Sequence, residues 1–293
     1  MPKVQIRAAR AADKVDILAI CAGVWEEAED YVPEVWDDWL ADPYGKLIVA
    51  QVGDRVVGMA KLTQLSADQW WLEGLRVKRE HQRQGVAGKL QAHLVEEFTQ
   101  TGRGSLRFGT HSQNHPIHRL ASRDGFRHVA TYRLYEAEPL PPEHALPLHQ
   151  LAESDLDPTW RLILGSPRYR AASGLYETFW SWQELTRERL AYHVSRGEVW
   201  SIDLDAHVAS LALICQTDKE DAIDIGYADG REGTMETLLV ALRGLAAQRG
   251  CDKVRLRAVD EPKLITAVER AGYQSSWDRD LWTFQLSAGH VSS

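Results

Sequence analysis

An α/β chain built from two tandem domains is what this sequence predicts, on three observations. Strand-like apolar runs alternate with amphipathic helical stretches along its length. A proline-rich break, Glu138-Pro139-Leu140-Pro141-Pro142-Glu143-His144-Ala145-Leu146-Pro147, interrupts the pattern near the middle. Beyond the break the same order of elements starts again, at an offset of about 147 residues. At 293 residues there is room for two domains of ordinary size. The expected layout is a domain over 1–138, a linker over 139–147, a second domain over 148–287 and a tail over 288–293.

In the first half, Val4-Gln5-Ile6-Arg7 reads as a strand and Asp13 as the start of a helix. Trp25, Trp36 and Trp39 lie in this first helical region. Leu47–Val52 and Arg55–Leu62 form a hairpin around Gly53-Asp54. Trp70 to Val77 is a strand, and after a short basic loop Gln82-x-x-Gly85-x-Ala87 opens an amphipathic helix. Val86, Leu90, Leu94, Val95 and Phe98 line one of its faces, and Gly102 lies past its end. Ser105–Thr110 reads as a strand with Leu106, Phe108 and Thr110 on one face. Asn114 suits the start of the next helix and Gly125 the position just past its end.

The second half echoes these elements. Leu146–Leu151 answers Val4–Arg7, and Val199–Leu204 with His207–Ile214 answers the first hairpin. Ile225 stands eight positions before Gly233, as Val77 stands before Gly85. Gly272-Tyr273 falls where Gly125-Phe126 does.

The turn before the helix carries the chemistry. A helix start leaves several backbone N–H groups unpaired, its dipole adds partial positive charge, and small residues let an anion come close. Gly85, Ala87 and Gly88 supply the small residues. Arg76, Lys78, Arg79, Arg83 and Lys89 supply positive charge, so the turn reads as a phosphate site.

Residues 77–88 resemble motif A of the GNAT superfamily of acyl-CoA N-acyltransferases. The family pattern there is Arg/Gln-x-x-Gly-x-Gly/Ala, with a strand Val eight positions before the first Gly, and Gln82, Gly85, Ala87 and Val77 fit it. Asn114 through Gly125-Phe126 resembles motif B. The resemblance implies two tandem GNAT-like domains, each a mixed, mostly antiparallel twisted sheet flanked by helices. It implies acetyl-CoA as cosubstrate, held by Leu75, Arg76 and Val77 along the strand, by Gln82, Arg83, Gln84, Gly85, Val86, Ala87 and Gly88 at the turn, and by Asn114. Many members carry a Tyr seven residues after that Asn, where it protonates the leaving thiolate. Here Ala121 stands there, and Tyr132 or Tyr135 on the next strand are candidates to replace it.

Acetylating an amine requires the amine to lose a proton, so a carboxylate near the thioester is useful. Glu73 is the carboxylate closest to the motif, and Leu72-Glu73-Gly74-Leu75-Arg76-Val77 resembles a segment of aminoglycoside 6′-N-acetyltransferases. Glu73 is therefore the candidate catalytic base. On a regular strand it shares a face with Leu75 and Val77, and a bulge at Gly74 would change that. An edge Glu paired with Arg76 or Lys78 is the structural alternative.

The run from Trp25 to Trp39 holds seven carboxylates with three Trp and one Tyr. As an acceptor wall it suits a cationic, partly apolar amine, with Trp25, Glu26, Glu34, Trp36 and Asp37 as the candidate contacts. A solvated helix face above packed Trp residues is the plainer reading.

In the second half, Gly230-Arg231-Glu232-Gly233-Thr234-Met235 replaces the turn. Met235 fills the space that Ala87 leaves, while Asp224, Asp229 and Glu232 bring negative charge. Glu261 and Val268 occupy the Asn114 and Ala121 positions. This reads as a degenerate copy with a weakened or absent coenzyme A site.

The formal charge of −8 argues against nucleic acid as a partner. No apolar run approaches the ~20 residues that span a bilayer. The opening residues lead straight into a strand without an apolar signal core, and Cys21, Cys215 and Cys251 form neither a disulfide framework nor a metal set. The expectation is a cytoplasmic, metal-free N-acetyltransferase, monomer or homodimer, acting on a small, cationic primary amine. An acyl-CoA sensor without catalysis is one alternative. Another is a tandem GNAT enzyme acting on an amino acid, a peptide or a thiol-cofactor precursor, as mycothiol synthase does.

Overall fold

The computed structural model describes residues 4–22, 30–101, 103–141, 148–215, 222–231 and 233–288. They form two compact units, one within 1–108, 116–127 and 285–293, the other within 109–115 and 128–284. Trp25 and Glu26, like most of the proline-rich linker, lie outside the described residues.

The first unit runs β1 (Val4–Ala8), α1 (Lys14–Cys21), α2 (Val32–Ala41), β2 (Lys46–Val52), β3 (Arg55–Ser66), β4 (Gln69–Val77), α3 (Val86–Thr101), β5 (Ser105–His111) and α4 (His115–Arg123). Its strands lie in the order β1-β2-β3-β4-β5, antiparallel except for the parallel pair β4/β5. Gly53, at φ +58°, makes the tight β2–β3 turn. Asp13 sits at the start of α1, where it takes two bonds from Arg7 (2.7 and 2.8 Å) and one from the Arg10 amide (2.8 Å). Asp30 caps α2 through the Val32 amide (3.1 Å), and Pro33 suits its first turn.

One face of the sheet is covered by α1 and α2 through Ile17, Ile20, Val32, Trp36, Val49 and Met59. α3 buries Val86, Leu90, Leu94 and Phe98, the face its spacing predicts. Trp70 meets Phe98 edge to face, with centroids 6.3 Å apart.

The second unit runs β6 (Arg127–Ala137), β7 (His149–Gln150), α5 (Leu156–Gly165), α6 (Pro167–Ala171), β8 (Leu175–Thr178), β9 (Ser181–Glu184), α7 (Arg187–Ser195), β10 (Val199–Leu204), β11 (His207–Cys215), β12 (Ala222–Gly230), α8 (Met235–Gln248), β13 (Lys253–Val259), α9 (Pro262–Arg270), β14 (Gln274–Ser275) and β15 (Leu281–Ser287). Its ladder β6-β13-β12-β11-β10-β7 is antiparallel except for the parallel pair β12/β13. β8 and β9 form a separate hairpin.

The units are therefore not cut at the linker. Residues 132–137 find ladder partners in β13, from Tyr132↔Val259 to Ala137↔Val254, and residues 128–137 group with the second unit. Residues from Gln285 onward group with the first, where Arg107 Nε donates to Gln285 Oε1 (2.7 Å) and the Ala288 amide to Gly104 O (2.8 Å).

The pairing of Ile225 with Val77 is corrected. Val77 ends β4, whereas Ile225 lies within β12, which continues to Gly230. Eight residues, 78–85, separate β4 from α3, but only four, 231–234, separate β12 from α8. The second connection has half the length of the first, and Met235 stands where the first has Ala87.

Candidate active site

The site in the first unit grows from three backbone irregularities. The first is where β4 parts from β5. The parallel pairing covers only Gln69↔Ser105, Trp70↔Leu106 and Trp71↔Arg107. Beyond Trp71 the backbone of 72–77 has no β5 partner, so its N–H and C=O groups on that edge are open to an extended ligand arm.

The second irregularity is the turn. Gln82 Nε2 donates to Val77 O (3.2 Å) and Gln84 Nε2 to Glu80 O (2.8 Å), so both side chains shape the loop from within. Gly85 takes φ +82°, and a Cβ built on it meets nothing within 4 Å. Residues 82–85 are exposed. Among the described residues no protein acceptor takes the amides of 83–88. Open amides at an exposed helix start, with free space over the glycine, fit the pyrophosphate of coenzyme A.

The positive halo differs from the sequence expectation. Arg76 is not part of it: its guanidinium is committed to Asp30 through Nε–Oδ2 (2.7 Å) and Nη2–Oδ1 (3.0 Å), and it lies over the Tyr31 ring at 5.4 Å. Lys78 pairs with Glu80 at 2.9 Å. Arg79, Arg83 and Lys89 are exposed around the turn. Arg123, unremarked in the sequence, comes from the end of α4 to within 3.5 Å of Gly88 O while pairing with Asp124 at 2.8 Å.

The third irregularity is a bulge in β4. Met59 faces Arg76 and Lys61 faces Glu73, so Gly74 and Leu75 together oppose the single residue Ala60. Gly74 takes φ +63°, and a Cβ there would lie 2.6 and 2.8 Å from the Trp39 ring, so only glycine fits. The bulge puts Glu73 and Arg76 on one face, that of α1 and α2, and takes Leu75 and Val77 out of register with Glu73.

Glu73 accepts a very short bond from the Thr63 hydroxyl. Burial pushes its carboxyl above the ordinary range, opposed by that bond and by the charge of Lys61. The edge-pair alternative with Arg76 or Lys78 does not hold, since both cations are engaged elsewhere. Tyr31, itself exposed, meets Trp39 edge to face (5.9 Å). Glu73, Tyr31 and Trp39 thus converge on the bulge.

Other predicted residues sit elsewhere. Trp36 is fully buried in the α1–α2 core, so its side chain is not available to a ligand. Asp37 is exposed and pairs with Lys14 at 2.6 Å. Glu34 is exposed on α2. Asn114 groups with the second unit and donates its amide to Thr110 Oγ1 (2.9 Å). Tyr132 is buried against Trp182, with centroids 5.2 Å apart, and the Tyr135 hydroxyl donates to Glu269 (3.2 Å), so both have structural posts in the second unit. Ala121 is buried.

In the second unit, the end of β12 is filled from within. Asp229 accepts from Ser166 Oγ (2.8 Å), Arg168 Nη1 (3.1 Å) and the Tyr227 hydroxyl (2.6 Å). Arg168 also reaches Gly230 O (2.7 Å) and Glu261 (3.4 Å), the residue that caps α9. Arg168 therefore links the end of β12 to the start of α9.

Among the described residues no helix is long and apolar enough to cross a membrane, and no group of three His, Cys, Asp or Glu could hold a metal ion. The three cysteines are buried and form no disulfide among the described residues, and burial raises Cys21 to about 12.

Residues 13–126 match the model of the acetyltransferase (GNAT) family. No curated protein matches the sequence. A GCN5-related N-acetyltransferase from Sphaerobacter thermophilus superposes with a TM-score of 0.64 at 16% identity, over 97% of this chain and 95% of that one. A tandem GNAT protein from the clavulanic acid biosynthesis pathway gives 0.57 at 17% identity, over 99% and 100%. The glucosamine N-acetyltransferase region of a fungal multi-domain β-N-acetylglucosaminidase gives 0.64 at 14%, over 98% of this chain and 38% of that one. At such identities these neighbours establish the fold, which is that of tandem GNAT domains.

Proposed function

We propose that this chain, a GNAT-family protein through residues 13–126, is an acetyl-CoA-dependent N-acetyltransferase that works in its first unit on the primary amine of a small, cationic acceptor. The turn 82–88 and the open edge of 72–77 hold the cosubstrate, and Glu73 receives the proton of the acceptor ammonium. The neutral amine then attacks directly within a ternary complex: the new C–N bond forms as the C–S bond breaks, and a proton lost by the nitrogen ends on the departing sulfur, which leaves as the thiol. Backbone amides beside the bulge polarise the carbonyl, and alignment supplies most of the rate.

The observation that carries this reading is the Gly74 bulge. It directs a carboxylate of raised proton affinity to the face where β4 leaves its β5 partner. A base is most effective when its proton affinity lies near the working pH, and burial moves Glu73 in that direction. Three buried cysteines without a disulfide among the described residues are in keeping with a cytoplasmic setting.

The test is release of free thiol from acetyl-CoA across diamines, aminoglycosides, an amino sugar, amino acids and peptides. With the best acceptor, Glu73→Gln should lower turnover by roughly a hundredfold at neutral pH and recover as the amine deprotonates unaided. Unaltered turnover in that variant would remove Glu73 from the mechanism. Acetyl-CoA binding without thiol release from any acceptor would favour the sensor reading.

A further inference from the structure

Lys61 stands out among the charged residues of the first unit. It lies in the middle of the apolar run of β3 and is fully buried, a rare position for lysine unless it is paired. Its ammonium binds Asp42 at very short range and donates to Leu62 O (3.2 Å). Asp42 is fixed by the amides of Tyr44 (2.9 Å) and Gly45 (3.1 Å). Gly45 is glycine for this reason, since a Cβ there would fall 2.1 Å from Lys61 Nζ.

Lys61 is also the direct cross-strand partner of Glu73. Opposite residues on adjacent strands share a face, with Cβ atoms ~5 Å apart. A fixed positive charge is thus built beside the carboxylate, with Asp42 on its far side.

We propose that Lys61 is a positioning residue that sets the proton affinity of Glu73, and that Asp42 limits how strongly it does so. This rests on the reading of Glu73 as the base. Without a neighbouring cation, a buried carboxylate would stay protonated too far up the pH scale to accept a proton at neutral pH. With the full charge of Lys61 beside it, the carboxylate would be too weak a base. The Asp42–Lys61 pair holds it between these limits. The other groups facing Glu73 among the described residues are Thr63 on β3, Tyr31 ahead of α2, and the Arg76–Asp30 pair on the same side of β4. Arg76 and Asp30 cancel each other in a two-bond ion pair.

The sign follows for each variant. Lys61→Met removes the cation and fills the same space, so Glu73 holds its proton to higher pH. The acidic limb of kcat/KM should move up by roughly one pH unit or more. Asp42→Asn frees the Lys61 charge to act on Glu73, so the limb should move down. A role in folding alone predicts no such opposition.

The Glu73 carboxyl is also titrated directly by carbon-13 NMR in the full chain without acceptor, with Glu73→Gln to assign the signal. Opposite displacements of the NMR midpoint in the two variants support the inference, whatever the kinetics do. An unmoved midpoint in both folded variants, or displacement in the same direction, overturns it. If the midpoints move while the pH–rate profile stays fixed, the tuning stands and the assignment of Glu73 as the base falls.

Discussion

Gly74→Ala is the most searching single change, because the bulge holds the site together. Two costs follow from the geometry. The new residue must sit at φ +63°, which costs an L-residue about 1–2 kcal/mol. Its Cβ would lie 2.6 Å from the Trp39 ring, and overpacking of that kind costs about 1–3 kcal/mol. The expected loss is therefore about 2–5 kcal/mol, read by urea unfolding of the full chain. Trp39→Leu removes the ring atoms that clash but leaves the backbone strain. In the double variant the overpacking share, about 1–3 kcal/mol, should vanish as a favourable coupling energy. Turnover should fall roughly a hundredfold, because the clash with Trp39 displaces the bulge and re-aims Glu73, while acetyl-CoA affinity, which rests on the turn, should hold. A loss under about 1 kcal/mol, or strict additivity with Trp39→Leu, would refute the account of the bulge.

Other tests follow from the same geometry. Calorimetric titration should give one coenzyme A per chain, and Gly85→Asp should abolish binding, because the open space over Gly85 would then carry a carboxylate; retained binding or two sites would sink the assignment. If Tyr31 supplies the proton that Ala121 cannot, Tyr31→Phe should lower kcat about tenfold or more with the acetyl-CoA KM unchanged, and an unaltered kcat would clear it of that role. Glu34→Gln should raise the KM of a cationic acceptor, whereas Asp37→Asn, whose carboxylate is paired with Lys14, should not; equal effects would restore the whole helix face as the acceptor wall. Arg7 holds Asp13 below the ordinary carboxylate range, so the pair stabilises the fold above about pH 4, and that stability is lost as pH falls through the lowered value. Arg7→Met should flatten that part of the acid-unfolding curve.

The turn and its helix were legible because they rest on local chemistry. Gly85 and the apolar spacing of Val86, Leu90, Leu94 and Phe98 carry their meaning within a few residues. Glu73 was legible as a candidate, and Gly74 beside it marked the bulge. The sequence did not reveal how charges would pair across the fold. Arg76 looked like part of the phosphate halo until Asp30, 46 positions away, claimed it. Asp42, Thr63 and Arg123 gave no local signal, since each acquires meaning only through a partner on another element. Lys61 did give one: a lysine inside an apolar strand run implies a buried countercharge. The pairing of β6 was hidden for the same reason, because β6 lies within the expected first domain, 1–138, but finds ladder partners in β13.

In the second unit the strand end that corresponds to the open turn of the first is occupied by the chain's own side chains. The shortened 231–234 connection removes the loop that would wrap a phosphate, and the vacated end of β12 cannot be left as unpaired polar backbone. Asp229 and Arg168 resolve this: the Asp229 carboxylate takes the Gly230 amide (2.8 Å), and Arg168 takes the Gly230 carbonyl. Both side chains are buried, so neither tolerates loss of the other. Arg168→Met should cost about 3–5 kcal/mol by leaving Asp229 without its cation, and it should open no second coenzyme A site, because the turn itself is gone. A chain that tolerated this change and bound a second equivalent would mean that Arg168 is a removable plug over a working slot.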